Sequence, residues 1–190
     1  MLSLSHSLIL GSKSPRRKEL LTKASLSFTQ RVVDTDESYP DTLSIPQIAE
    51  YIAHQKALAQ KELLSDNELL LTADTIVVHQ GQVYGKPKDA VDAYRILRLL
   101  SDNSHLVYTG VVLMSMDKEI QFTVESKVNF EVLDEDEIQW YVSQYKPYDK
   151  AGAYGIQDWI GQVKIKRIEG SYTNILGLPM GETYQALKEF

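Results

Sequence analysis

The run Glu68-Leu69-Leu70-Leu71-Thr72-Ala73-Asp74-Thr75-Ile76-Val77-Val78 is the most apolar part of this chain and the part that must be buried. It reads as a central strand, or as two strands bent in the middle. Asp74 interrupts it. An unpaired carboxylate inside such a core is costly, so Asp74 needs a partner, a metal or a cleft. The plainer reading is a local turn in which Asp74 accepts backbone N–H bonds. The apolar runs on both flanks favour the former.

A second constraint lies near the start, in Leu8-Ile9-Leu10-Gly11-Ser12-Lys13-Ser14-Pro15-Arg16-Arg17. The short apolar run is a buried strand, broken by Gly11. Ser14 stands as an N-cap and Pro15 fits the first helical position, where a missing N–H costs nothing. Leu20, Leu21 and Ala24 give the helix an inward face. A strand thus feeds a tight turn and a helix N-terminus, where free N–H groups and the helix dipole attract anions. Ser12 and Ser14 add hydroxyl donors, and Arg16 and Arg17 add charge in a geometry suited to phosphate. The alternatives are an anion site for a phosphorylated ligand, or an ordinary capped helix with solvated arginines. There is no Walker-A pattern.

Downstream, Phe28 to Val33 alternates like a strand and runs into the acidic loop Asp34-Thr35-Asp36-Glu37-Ser38. Ser44 and Gln47 form a capping box that opens a long helix. On its wheel Ile45, Ile48, Ala49, Ile52, Ala59 and Leu63 share one face, with Lys56 in the middle. That lysine either snorkels outward or meets an anion at the end of the stripe. Gln80-Gly81 reads as a hairpin turn, and a helix is expected from Pro87 to about Leu100, which sets Lys86 just before a helix N-terminus. Two strands, His105 to Met116 and Lys118 to Leu133, join at Met116-Asp117. Asp134 and Glu137 open another helix. Lys150 to Gln157 is rich in small residues that let backbone approach a ligand. A strand from Val163 to Ile168 and a final helix from Pro179 complete the chain.

Composition bounds the function classes. The 190 residues fit one domain spanning 1–190, with room for two lobes, and 43% hydrophobic residues suffice for a core. A net charge of −6 disfavours long nucleic acid as a partner. Cysteine is absent, which removes disulfides and thiolate chemistry. The four histidines show no metal-ligand spacing. No apolar run reaches membrane length and no secretion signal opens the chain, so a soluble cytoplasmic protein is expected.

Taken together, the stretches SPRR (Ser14 to Arg17), DE (Asp36-Glu37), QKA (Gln55 to Ala57), ADT (Ala73 to Thr75), GKP (Gly85 to Pro87), HLVYTGV (His105 to Val111), KAGAYGIQ (Lys150 to Gln157) and GSYTNILGLP (Gly170 to Pro179) resemble the Maf family of nucleoside triphosphate pyrophosphatases. They occur in the family's order over nearly the whole chain. One departure is the loop Asp102-Asn103-Ser104, which lacks the glycine usual there; a changed turn with intact chemistry is expected.

The resemblance implies an α/β fold, a mixed twisted sheet flanked by helices around a deep cleft, like the inosine triphosphate pyrophosphatases. It implies a divalent cation (Mg²⁺ or Mn²⁺), a homodimer, and hydrolysis between the α- and β-phosphates. Glu37 and Asp74 would be the metal ligands, with Asp74 also the proton acceptor. Lys56 and Lys86 would hold phosphates, while Ser12, Ser14, Arg16 and Arg17 would bind the triphosphate. Arg16, Thr75 and Gln157 match the family's specificity positions, in the form of the dTTP/UTP branch, with nucleotide-pool house-cleaning as the role. Two alternatives are a pyrophosphatase for modified or purine nucleotides, and a nucleotide-sensing regulator of septum formation without turnover.

Overall fold

In a computed structural model, which describes residue 2 and residues 4–190, the apolar run forms a single strand, β3 (Glu68–His79), buried along nearly its whole length. Around it the chain alternates: β1 (Ser7–Leu10), α1 (Pro15–Lys23), β2 (Thr29–Gln30) and α2 (Ile45–Lys61) precede it. After it come β4 (Gln82–Tyr84), α3 (Ala90–Leu100), β5 (Ser104–Met114), β6 (Glu119–Phe130), α4 (Glu135–Tyr145), a 3-10 turn (Ala151–Ala153), α5 (Trp159–Val163), β7 (Ile165–Glu169), α6 (Tyr172–Leu176) and α7 (Met180–Leu187). The strands form one seven-stranded sheet in the order β2-β1-β3-β5-β6-β7, with β4 also on β3. β1 is parallel to β2 and β3, whereas β4 and β7 are antiparallel to their neighbours. The fold is therefore the expected mixed α/β sheet flanked by helices.

The chain divides into two compact units: Met1–Asp74, Thr109–Val124 and Gly177–Phe190 form the first, and Thr75–Tyr108 and Glu125–Leu176 the second. In the first, Ile9, Leu70, Val112 and Met114 of the strands pack with Ala53, Ala57 and Leu64. The buried stripe of α2 is Ile48, Ala49, Ile52, Ala53, Ala57 and Gln60. This corrects the sequence reading, since Ala59 is exposed and Leu63 is 53% exposed. The reason is how closely α2 approaches β5. A Cβ on Gly110 would lie 2.2 Å from the Glu50 backbone nitrogen, and the Thr72 hydroxyl donates to the Ala53 carbonyl at 2.7 Å. Only a helix face with alanines at its centre can lie so near a strand, so small size outranks large apolar area in choosing it.

Other boundaries moved for local reasons. β2 is two residues long instead of running from Phe28 to Val33, because its partner β1 ends at Leu10; Arg31 N–H makes the last bond, to the Leu10 carbonyl at 3.1 Å. α3 begins at Ala90, not Pro87, because the Asp89 carboxylate caps it by accepting from Asp92 N–H at 2.8 Å. Lys86 is thereby separated from the helix N-terminus. The strand expected from Val163 to Ile168 is present as β7 but starts two residues later, because Val163 closes the short helix α5, and the Gly170 to Pro179 segment holds the short helix α6. In the loop lacking a glycine, Asp102 itself takes the left-handed conformation at φ 54°, which Asp tolerates better than most residues.

The second unit has its own core, in which α3 and α4 pack with Tyr84, Val107, Val128 and Phe130. His105 lies edge-on to Phe130 and Tyr154, with its Nε2 2.8 Å from the Tyr154 hydroxyl. Burial, and to a lesser degree His79, pushes the His105 pKa from 6.5 down to about 3. The unfolded chain takes up this proton near pH 6.5 and the folded chain only near pH 3, so the unfolded state binds more protons between them. The contribution of His105 to stability is complete above pH 6.5 and shrinks by up to about 1.4 kcal/mol per pH unit on acidification towards pH 3. Urea unfolding midpoints from pH 7 to pH 4 should therefore fall more steeply in the wild type than in His105→Gln. Parallel curves would assign the acid sensitivity to other groups.

Candidate active site

Gly11 follows the end of β1, and its N–H donates to the Leu71 carbonyl at 2.8 Å, so the turn leaving β1 is pinned to β3. The Ser12 hydroxyl accepts from Ser14 N–H at 3.2 Å, and the Gln30 amide donates to the Ser12 carbonyl at 2.6 Å. Ser14 caps α1 and Pro15 opens it, as the sequence indicates. The first turn of α1 then drives Arg17 inward. Arg17 Nε donates to the Gly177 carbonyl at 2.7 Å and Nη1 donates to the Ser12 hydroxyl at 3.0 Å. Burial lowers the Arg17 pKa; the charges of Asp74 and Glu37 oppose that shift and Arg16 adds to it. A guanidinium stays protonated regardless, so the shift records how little water surrounds a fixed cation that two carboxylates support.

Those carboxylates share a second cation. Lys56 Nζ lies 2.7 Å from Asp74 Oδ1 and 2.7 Å from Glu37 Oε1. The Lys56 and Asp74 side chains are only 15% and 12% exposed, and that of Glu37 46%. Of the two readings for Lys56, the structure selects the meeting with anions: α2 holds its stem among buried alanines, and its ammonium reaches the acid that interrupts β3. Asp74 in turn has a partner and is not a turn-forming acid. The acidic loop splits its duties. Asp36 turns back to accept from Ser38 N–H at 2.9 Å and Ser38 Oγ at 2.7 Å, which lowers its pKa, hydroxyl bond first. Glu37 points the other way, to Lys56.

The first unit thus brings together Ser12, Ser14, Arg17, Glu37, Lys56 and Asp74, with Arg16 half-buried beside Arg17. Thr75, Lys86 and Gln157 belong to the second unit. Thr75 follows Asp74 on β3 and is half-buried, and Lys86 is exposed. Gln157 is half-buried, yet its Oε1 is shielded from solvent and has no hydrogen-bond partner. The segment carrying it is braced from below: the Tyr141 hydroxyl donates to Asp158 Oδ2 at 2.8 Å and accepts from Gly155 N–H at 3.1 Å. Residue reading missed that brace, and also the bond from Arg17 to Gly177. The glycine-bearing segments that contain Gly155 and Gly177 were the available signal.

Among the described residues no group of three or more His, Asp or Glu side chains is placed to hold a metal ion, and no helix is long and apolar enough to cross a membrane. Glu37 and Asp74 nevertheless converge on one positive charge, and Mg²⁺ is commonly bound through one or two carboxylates with substrate phosphates and water completing the shell. The donor set fits such an ion.

Comparison with known proteins identifies the family. Residues 7–190 match the family described as Maf-like protein. The chain belongs to the Maf family. A relative named dTTP/UTP pyrophosphatase from Parabacteroides distasonis is 49% identical over 97% of this chain and 96% of its own length. Proteins of the same name from Bacteroides fragilis and Flavobacterium johnsoniae are 47% and 41% identical over 97% and 96% of this chain and 96% and 94% of their own lengths. In this Maf protein the tie from Arg17 to Gly177 should be worth measuring apart from activity. Arg17→Lys keeps the charge but loses the fork, leaving a buried carbonyl unpaired. It should lower stability by about 2 kcal/mol in urea denaturation. An unchanged midpoint would show that the guanidinium fork contributes nothing to the fold.

Proposed function

We propose that this chain hydrolyses nucleoside triphosphates between the α- and β-phosphates, giving a nucleoside monophosphate and pyrophosphate, with dTTP and UTP favoured. The observation that carries the proposal is the ammonium of Lys56 shared between Glu37 and Asp74, with buried Arg17 at hand. The names of its relatives point to the same reaction. Water attacking a phosphorus that already carries negative charge needs a base and compensating cations. Asp74, paired with Lys56, accepts the proton of the attacking water. Arg16, Arg17, Lys56 and Lys86, with the hydroxyls of Ser12 and Ser14, hold the triphosphate and the departing pyrophosphate. Glu37 and Asp74 would hold a divalent cation, Mg²⁺ or Mn²⁺, which when bound neutralises phosphate charge. A sensor without turnover would need the basic groups but not both carboxylates. A homodimer working in the cytoplasm goes with this proposal, and light scattering would read the oligomeric state.

Asp74→Asn preserves shape and removes the base. It should lower turnover of UTP by roughly two to four orders of magnitude, with pyrophosphate and UMP as the wild-type products by phosphorus NMR. Near wild-type turnover in the variant would remove Asp74 from the reaction. UDP as the first product would overturn the bond assignment.

Base choice is assigned to Arg16, Thr75 and Gln157. The shielded, unpartnered Oε1 of Gln157 supports this, because a buried acceptor without a donor is costly until a ligand supplies one. Uracil and thymine carry a ring N–H beside carbonyl oxygens, and a single amide offers the matching acceptor and donor. Cytosine lacks that N–H, a mismatch of about 1–3 kcal/mol. The wild type should show higher kcat/KM for dTTP and UTP than for CTP and GTP, and Gln157→Ala should level the four. Uniform slowing with the preference intact would make Gln157 part of the scaffold.

A further inference from the structure

We propose that Lys56 is the resident counter-ion of the Glu37–Asp74 pair and gives up that place only when a divalent cation arrives together with a polyphosphate. This rests on the function proposed above and adds an order of binding to it: cation and nucleotide enter together.

The argument begins from the geometry. One ammonium nitrogen lies 2.7 Å from an oxygen of each carboxylate, where a metal bound by the same two acids would have to compete with it. Lys56 and Asp74 are little exposed, so water cannot take over as the partner of either charge if the other leaves. Arg17 cannot serve as the mobile cation, because bonds to Gly177 and Ser12 fix its guanidinium. Lys56 carries a compact charge on a flexible stem and can move its ammonium while α2 stays in place. The charges of Glu37, Asp74, Lys56 and Arg17 cancel, and half-buried Arg16 adds one positive charge beside Arg17. A divalent cation added alone leaves an excess of positive charge in a sheltered site, and a triphosphate added alone meets two carboxylates. Added together they offset one another in part, and the displaced ammonium gains phosphate oxygens in exchange for carboxylate ones. Such mutual dependence is a coupling free energy and must appear in the binding of either partner.

The test is Mn²⁺ binding to the full-length protein, followed by electron paramagnetic resonance, for wild type and Lys56→Met. Each is measured with and without the non-hydrolysable analogue α,β-methylene-UTP. Wild type should bind Mn²⁺ at least tenfold more tightly with the analogue than without it. Lys56→Met should bind Mn²⁺ without nucleotide at least tenfold more tightly than wild type does, and should gain less from the analogue. Equal or weaker binding by Lys56→Met overturns the proposal, as does an absence of Mn²⁺ binding by both proteins. Pyrophosphate release from UTP by the same wild-type preparation separates these failures from failure of the function itself. A second measurement needs no variant. In wild type labelled with ¹⁵N-lysine, the hydrogen-bonded Lys56 ammonium signal should persist with Mg²⁺ alone and shift or vanish with Mg²⁺ plus analogue. The same change with Mg²⁺ alone overturns the proposal.

Discussion

The first unit depends on the cost of placing the Asp74 carboxylate inside an apolar strand. That cost is met only if α2 presents Lys56 at the right height, which requires α2 to lie close to the sheet, which in turn requires alanines on the helix and Gly110 on β5. The loop after β2 must bring Glu37 to the same ammonium, and the turn at Asp36 and Ser38 sets the backbone for that. Packing and chemistry are therefore one requirement in this unit. A change that pushed α2 outward by the width of a methyl group would pull the Lys56 ammonium away from both carboxylates.

In the second unit aromatic hydroxyls take a larger part: Tyr141 braces Gly155 and Asp158, and Tyr154 stands against His105. Burial raises the pKa values of both tyrosines, so each stays a neutral hydroxyl throughout the usual range of pH. The Tyr141 hydroxyl holds Gly155 and Asp158, on either side of Gln157, and so fixes the backbone of a position proposed to judge hydrogen-bond pattern.

Much of this was legible in the sequence. The apolar run around Asp74, the cap at Ser14 and the capping box at Ser44 each express a local rule, and each stands where the rule puts it. What was misread depended on partners distant in sequence. The extent of β2 was set by where β1 stops, and the buried face of α2 by a glycine on another element. Residue types flagged Lys56, Glu37 and Asp74 as unusual in their surroundings, but only the fold joins them at one atom. The bond from Arg17 was invisible for a simpler reason: its acceptor is a main-chain carbonyl, and every residue has one.

That bond spans 160 positions of the chain. While the protein is being made, the arginine in the first turn of α1 has no such acceptor until residue 177 has left the ribosome. The turn after β1 can form early, from neighbours, but the Arg17 guanidinium cannot be fixed early. A nascent chain shorter than 177 residues therefore carries the turn without this tie, and the tie joins the first turn of α1 to the chain only once Gly177 has folded back to it.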